Sequence, residues 1–301
     1  MSEYEQYRRL YDRLVAKFRP RVERALRDGV KLFTDHYQQS QHVEPKIIPS
    51  VIVYKALKQM HIIAALNGGR LVSREIRKAT KDLSDKENTW VWVVNEYLKM
   101  YGLNQLAIEI TNTLRETTKA KIQKGVEQGW GVDKIVRELN NGTFPKWMAL
   151  RIVRTEINKA ANTGAMVAAA DSGIVLDKKW ISAQDNRTRR IPRDKFDHLD
   201  MNGKQVGFDE RFVVPSTSVV EALQYPGDPE GSAGNVINCR CRVAFVPVRD
   251  EQGKPIEAQK PTVQGSTGQP QHNVFTRLLQ QAVAQGITTY LVHQIMNEHE
   301  Q

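Results

Sequence analysis

Cys239 and Cys241 are the chain's only thiols, and a single residue separates them. A thiolate pair at that spacing can ligate a soft metal or be oxidised to a disulfide. The disulfide is disfavoured, because bridged Cα atoms lie ~4.4–6.8 Å apart with a defined dihedral and a Cys-x-Cys ring is strained. A second cluster is basic: Arg187, Arg189, Arg190 and Arg193 fall within seven positions, and Arg240 and Arg242 interleave with the cysteines. Guanidinium forks suit phosphate oxygens, so these six arginines are the candidate DNA- or phosphate-binding set. Asp185, Asp194, Asp197 and Asp200 are mixed in with them, and local ion pairing is the competing reading. In Arg154-Thr155-Glu156 the carboxylate could serve a reaction, but the triplet fits better as a polar clamp between a helix and a sheet. His293 and His299 are six residues apart, which turns them to opposite sides of a helix and prevents them from pinching one zinc. The sequence contains no G-x-S-x-G elbow, no G-x-x-x-x-G-K-[ST] loop and no G-x-G-x-x-G after a strand, so no enzyme is expected.

The elements that must position these residues follow from apolar spacing. Tyr4, Tyr7, Tyr11, Leu14 and Phe18 recur at alternating spacings of three and four, the seam of a long helix from about residue 2 to 39, continued by Val22, Leu26 and Val30. Pro20 should kink or break it. The seam calls for a partner, either another part of the chain or a second molecule. Helices are further expected over 49–66, 88–101 and 104–127, with Asn67-Gly68-Gly69 as a strong breaker. A short helix over 132–139 precedes a long one over 145–171. That long helix carries an apolar face of Leu150, Val153, Ile157, Ala160, Ala161 and Gly164, and a polar stripe of Arg151, Arg154, Thr155, Asn158 and Asn162. Beyond Gly173 short extended runs appear at 175–182, 205–214 and 241–248. Tyr225-Pro226-Gly227-Asp228-Pro229 reads as a tight turn with Gly227 at positive φ. The overall expectation is an α+β fold with a mainly helical N-terminal half.

With 301 residues the chain is about two domains long on a ~150-residue prior. Its net charge of +10 is uneven, with +8 in residues 1–142, +3 in 143–247 and −1 in 248–301. A basic half is compatible with a polyanion, whose condensed counterions Lys and Arg displace. The longest apolar runs, 90–94 and 164–170, are far short of the roughly 20 residues that cross a bilayer. A lack of any apolar N-terminal stretch and only two cysteines suggest a chain made and kept in a cytoplasm.

Taken together and in order, several of these pieces resemble the MuF-like minor head proteins of tailed bacteriophages, also called phage head morphogenesis proteins. They are Arg154-Thr155-Glu156, Trp180, Asp185-x-Arg187-Thr188, His198 with Gly203-Lys204, Pro226-Gly227-Asp228 and Asn238-Cys239-Arg240-Cys241. The resemblance spans about 129–247; residues 1–128 and 249–301 carry no matching motif. It implies a structural virion protein inside the head near the portal, made in the bacterial host, which contacts portal or major capsid protein and packaged DNA. The same domain is also found fused to toxin modules, so the alternative is a nucleic-acid- or nucleotide-acting enzyme or a toxin adaptor.

Many members of that family carry two further cysteines and a histidine that together look like a zinc site. Here Arg189 and Val236 replace two of those positions, leaving His198, Cys239 and Cys241 as candidate ligands. A regular strand would space the two cysteines ~6.5–7 Å apart, too far for one metal unless Asn238 begins a turn. Two readings stay open: no cofactor, with the cysteines as small buried residues at a strand entry, or zinc with a fourth ligand. The domain organisation expected is a helical region at 1–142, a MuF-like α+β domain at 143–247, a flexible linker at 248–272, and a C-terminal amphipathic docking helix at 273–301. Phe275, Leu278, Leu279, Ala282 and Val283 would form its apolar stripe.

Overall fold

The computed structural model describes residues 3–42, 48–80, 103–141 and 144–258. The helix expected at 88–101 and the docking helix at 273–301 lie outside them. Among the described residues five helices come first: α1 Glu3–Ser40, α2 Ser50–Thr80, α3 Leu103–Glu127, α4 Val132–Asn141 and α5 Phe144–Ala170. Then come β1 Leu176–Ile181, β2 Gln205–Gly207, β3 Phe212–Val214, β4 Glu221–Leu223, the single turn α6 Ala233–Val236, and β5 Arg242–Pro247. The fold is α+β, with helices leading and a small sheet region following.

The tyrosine seam of α1 is buried within the chain itself. Tyr7 donates to Asn158 Oδ1 of α5 at 2.7 Å and Tyr11 to the Arg154 carbonyl at 3.3 Å, while Phe18, Leu26 and Phe33 enter the common core. The break expected at Pro20 does not divide α1. Pro20 is exposed, so the Ala16 carbonyl it leaves without an N–H partner can bond to water.

Asn67-Gly68-Gly69 does not end a helix either; α2 runs through it. The reason lies in the crossing of α2 with α5. A Cβ on Gly68 would stand 2.1 Å from the Ala161 carbonyl oxygen, and one on Gly164 would stand 1.9 Å from that of Ala65. Two glycines therefore let the backbones meet where side chains would hold them apart. Asn67, which could compete with the helix, instead donates to Ile63 O at 2.7 Å.

One hydrophobic core takes Leu57 and Met60 of α2, Leu114 of α3, Ile135 and Leu139 of α4, and Val153 and Ile157 of α5. The expected boundary at 142/143 thus falls inside a shared core. A second core gathers Trp180, Phe196, Met201, Phe212, Val214, Leu223, Cys239 and Cys241, and a third cluster, with Val72, Ala165, Leu176 and Val243, joins helices to sheet.

The sheet is antiparallel, ordered β2-β1-β5, with Trp180 opposite Val243 and Asp177 opposite Gly207; β3 and β4 form a separate hairpin. The flexible linker does not begin at 248. Val248 N–H bonds to Val175 O, Val175 N–H to Ile256 O, and Ala258 N–H to Gly173 O, each at 2.9 Å. Asp250 closes the intervening turn by accepting the N–H groups of Gln252 and Lys254, so residues 248–258 extend the sheet edge.

Candidate metal centre

The polar stripe of α5 fixes the loop that holds the cysteines. Asn238 adopts φ 58°, the left-handed region, and its N–H donates to Thr155 Oγ1 at 3.0 Å. Two turns further along α5, the Asn162 side chain donates to Cys241 O at 3.1 Å and Pro226 O at 2.8 Å, and accepts the Val243 N–H at 3.0 Å. Gly227 has φ 82°, as the turn required, and a Cβ there would meet Asn158 Nδ2 at 2.9 Å. Thr155 of Arg154-Thr155-Glu156 is therefore a clamp. Glu156 faces α2 instead, with Lys159 Nζ at 3.0 Å and His61 Nε2 at 3.3 Å. Burial pushes the Glu156 carboxyl up, but Lys159 and His61 outweigh it and hold the group at about 2.

Because Asn238 turns the chain, the two cysteines do not have the spacing of a strand. His198 Nδ1 lies 3.6 Å from Cys239 Sγ and 3.6 Å from Cys241 Sγ, and the three donor atoms all fall within 4.8 Å of one another. All three residues are buried, and the Trp180 ring packs edge-on to the imidazole at 5.3 Å. A tetrahedral ion with Zn–S near ~2.3 Å and Zn–N near ~2.0–2.1 Å holds N and S about 3.6 Å apart. The donor set and its separations thus fit zinc. Bound there, zinc would cross-link the loop of His198 to the entry of β5. Without it, Cys241 donates to Cys239, which draws the Cys239 thiol down to about 7 and pushes that of Cys241 well up.

The arginines are not gathered into one phosphate-binding face. Arg242 is buried and paired with Glu75 of α2, its guanidinium 2.8 Å from Oε1. Arg240 makes a two-pronged bond to Asp185, 2.7 Å at Oδ1, which holds that carboxyl well below the usual range. Arg189 donates to the Ile237 carbonyl, and Arg193 to Thr188 O at 2.7 Å and to Asp194 Oδ2 at 2.8 Å. Only Arg187 and Arg190 stand exposed without such a bond to carboxylate or carbonyl. Interleaved aspartates engage Arg193 and Arg240, main-chain carbonyls engage Arg189 and Arg193, and the sequence-distant Glu75 takes Arg242. Sequence reasoning missed Asn235 and Glu221, which back His198; neither carries a periodic or motif signal.

Residues 116–244, from the middle of α3 to β5, match the family model described as phage Mu protein F like protein. Through that segment the chain is similar to the phage Mu F-like family. The segment holds every clamp and donor described above. Among curated proteins, the chain is 30% identical over 153 residues to an Enterococcus faecalis protein named NAD(+)--arginine ADP-ribosyltransferase EFV, covering 50% of this chain and 29% of that one. It is 28% identical over 162 residues to an uncharacterized Bacillus subtilis protein, YqbB, covering 54% of this chain and 48% of the relative. The chain thus spans less than half the length of the curated relatives it matches. No solved structure matches. Among the described residues, no helix is long and apolar enough to cross a membrane.

Proposed function

We propose that the chain is a minor structural component of the head of a tailed bacteriophage, lying inside the head near the portal and acting in head assembly and in DNA packaging or ejection. The phage Mu F-like match over 116–244 carries this reading. Its partners are the portal or the major capsid protein, together with DNA held by non-specific electrostatics. With Arg240 and Arg242 engaged internally, the DNA-facing charge falls on α1, where Arg9, Arg13, Lys17 and Arg24 are exposed along one side of the helix. Removing this chain from a phage that encodes it tests the proposal. Heads that form but fail to package or eject DNA, restored by the chain supplied in trans, are expected; unchanged yield of infectious particles would contradict it.

The name of the Enterococcus faecalis relative favours a second reading, an ADP-ribosyl transfer enzyme. More than two thirds of that relative lies outside the match, so we take the shared segment as a carrier shared by structural and toxin-bearing chains. Incubation with NAD⁺ and an arginine analogue decides between them. Our reading expects no transfer.

A further inference from the structure

Behind His198 stands a chain of polar groups that a merely packed cysteine pair does not need. His198 Nε2 is 2.6 Å from Asn235 Oδ1, and Asn235 Nδ2 is 3.0 Å from Glu221 Oε2. A carboxylate can only accept, so the amide must turn its NH₂ toward Glu221 and its oxygen toward His198. An amide oxygen can only accept as well. His198 must therefore carry its proton on Nε2, which leaves the lone pair of Nδ1 aimed between the two sulfurs. Asn235 is fully buried, and Glu221 is further held by the Ser232 N–H at 3.0 Å. Burying an amide, an imidazole and part of a carboxylate is costly unless each is bonded in a fixed order.

We infer that Glu221 and Asn235 form an outer-shell relay that locks His198 in the Nε2–H form, making His198 Nδ1, Cys239 Sγ and Cys241 Sγ a three-donor site for a soft divalent cation of the zinc class. The donor types and the equal 3.6 Å separations select that class over hard cations, which take oxygen ligands. The fourth position of such an ion falls to water or to a ligand from outside the triad, because Arg189 and Val236 supply none. Outer-shell partners of this kind alter metal affinity by about 10–100-fold when removed. Asn235 and Glu221 are thus positioning residues, and the inference stands apart from any role in a phage head.

The test uses the full chain, reduced and metal-free, with cobalt(II) as the probe and nitrogen NMR of the His198 ring. Expected are the Nε2–H form before metal is added and a thiolate-to-cobalt absorption that saturates at one equivalent. Cys241→Ser should abolish that absorption, and Asn235→Ala should weaken binding by about 10–100-fold while mixing the two ring tautomers. Glu221→Gln, at a partly exposed position, preserves an acceptor for Asn235 and should weaken binding less. If Asn235→Ala fails to fold, the wild-type tautomer and the cobalt titration decide alone. An Nδ1–H ring in the wild type, no thiolate band at one equivalent of cobalt, or a folded Asn235→Ala that binds as tightly as wild type would each overturn the inference.

Discussion

At the scale of single residues, what matters is which charges are committed to the fold. Arg240 and Asp185 form a two-pronged pair that is mostly shielded, whereas Arg187 and Arg190 project into water. Arg240→Ala should therefore lower unfolding free energy by about 1–3 kcal/mol, and Arg187→Ala or Arg190→Ala by less than about 0.5 kcal/mol. Denaturant titration of the three variants checks this; equal losses would return the arginine cluster to the surface role read from sequence. Glu156 gives a pH dependence of definite sign. Its carboxyl is held at about 2 in the fold against an ordinary 4.5, so the unfolded chain binds the proton first. The stabilisation is complete above the unfolded value and is lost as the pH falls toward 2, amounting to roughly 3 kcal/mol. Glu156→Gln should be less stable than wild type at pH 7, and the two should converge near pH 2. Parallel curves from pH 7 to pH 2 would remove Glu156 from the account. The cysteines, the Pro226–Gly227 turn and the clamp at Thr155 were legible, since residue type alone restricts what a thiol, a turn glycine or a short hydroxyl can do. Asn235 and Glu221 were not. A buried amide is recognised by its partners, and these lie 37 and 14 residues away.

At the scale of elements, the apolar period located α1, α3, α4, α5, β1 and β5 closely, because each buries one face. It failed where tertiary contact reverses a local preference. Gly68 costs α2 about 1 kcal/mol relative to alanine by propensity alone, yet α2 continues through it, because the backbone of α5 occupies the space a Cβ would need. Gly68→Ala and Gly164→Ala should each destabilise by roughly 3 kcal/mol or more, since the obstructing atoms are carbonyls that no rotamer change can move. Thermal melting of either variant measures this, and an unchanged or raised Tm would mean that α2 and α5 do not cross as described. The basic side of α1 makes a separate prediction. Duplex DNA binding should weaken with a log–log salt slope of about −0.9 per phosphate contacted, and Arg13→Glu with Lys17→Glu should reduce affinity equally for all sequences. A loss confined to particular sequences would indicate base contacts instead. The short β4 and the single turn α6 were invisible in the sequence, because three or four residues are too few to establish a period.

At the scale of the whole molecule, a division at residue 142 fitted composition and charge but not packing. Tyr7 in α1 reaches Asn158 in α5, and Glu75 in α2 reaches Arg242 at the start of β5, so the helical region and the sheet are fastened across that boundary. Charge and composition vary along a chain irrespective of which faces come together, which is why the shared core was hidden. The expectation of a linker from 248 failed for a related reason: main-chain pairing with Gly173 and Val175 asks nothing of side chains and leaves no compositional trace. A chain ended after residue 250 should be about 1–3 kcal/mol less stable than one ended after residue 258, because it leaves Val175 N–H and Gly173 O unpaired. Equal stability of the two would place residues 251–258 outside the fold. The central proposal is that this chain, similar to the phage Mu F-like family over 116–244, stays in the finished head as a minor component. Quantitative mass spectrometry of purified, DNA-filled particles tests it most directly: peptides of this chain are expected at a small, reproducible fraction of the major capsid protein, whereas their presence in assembly intermediates and absence from filled particles would contradict it.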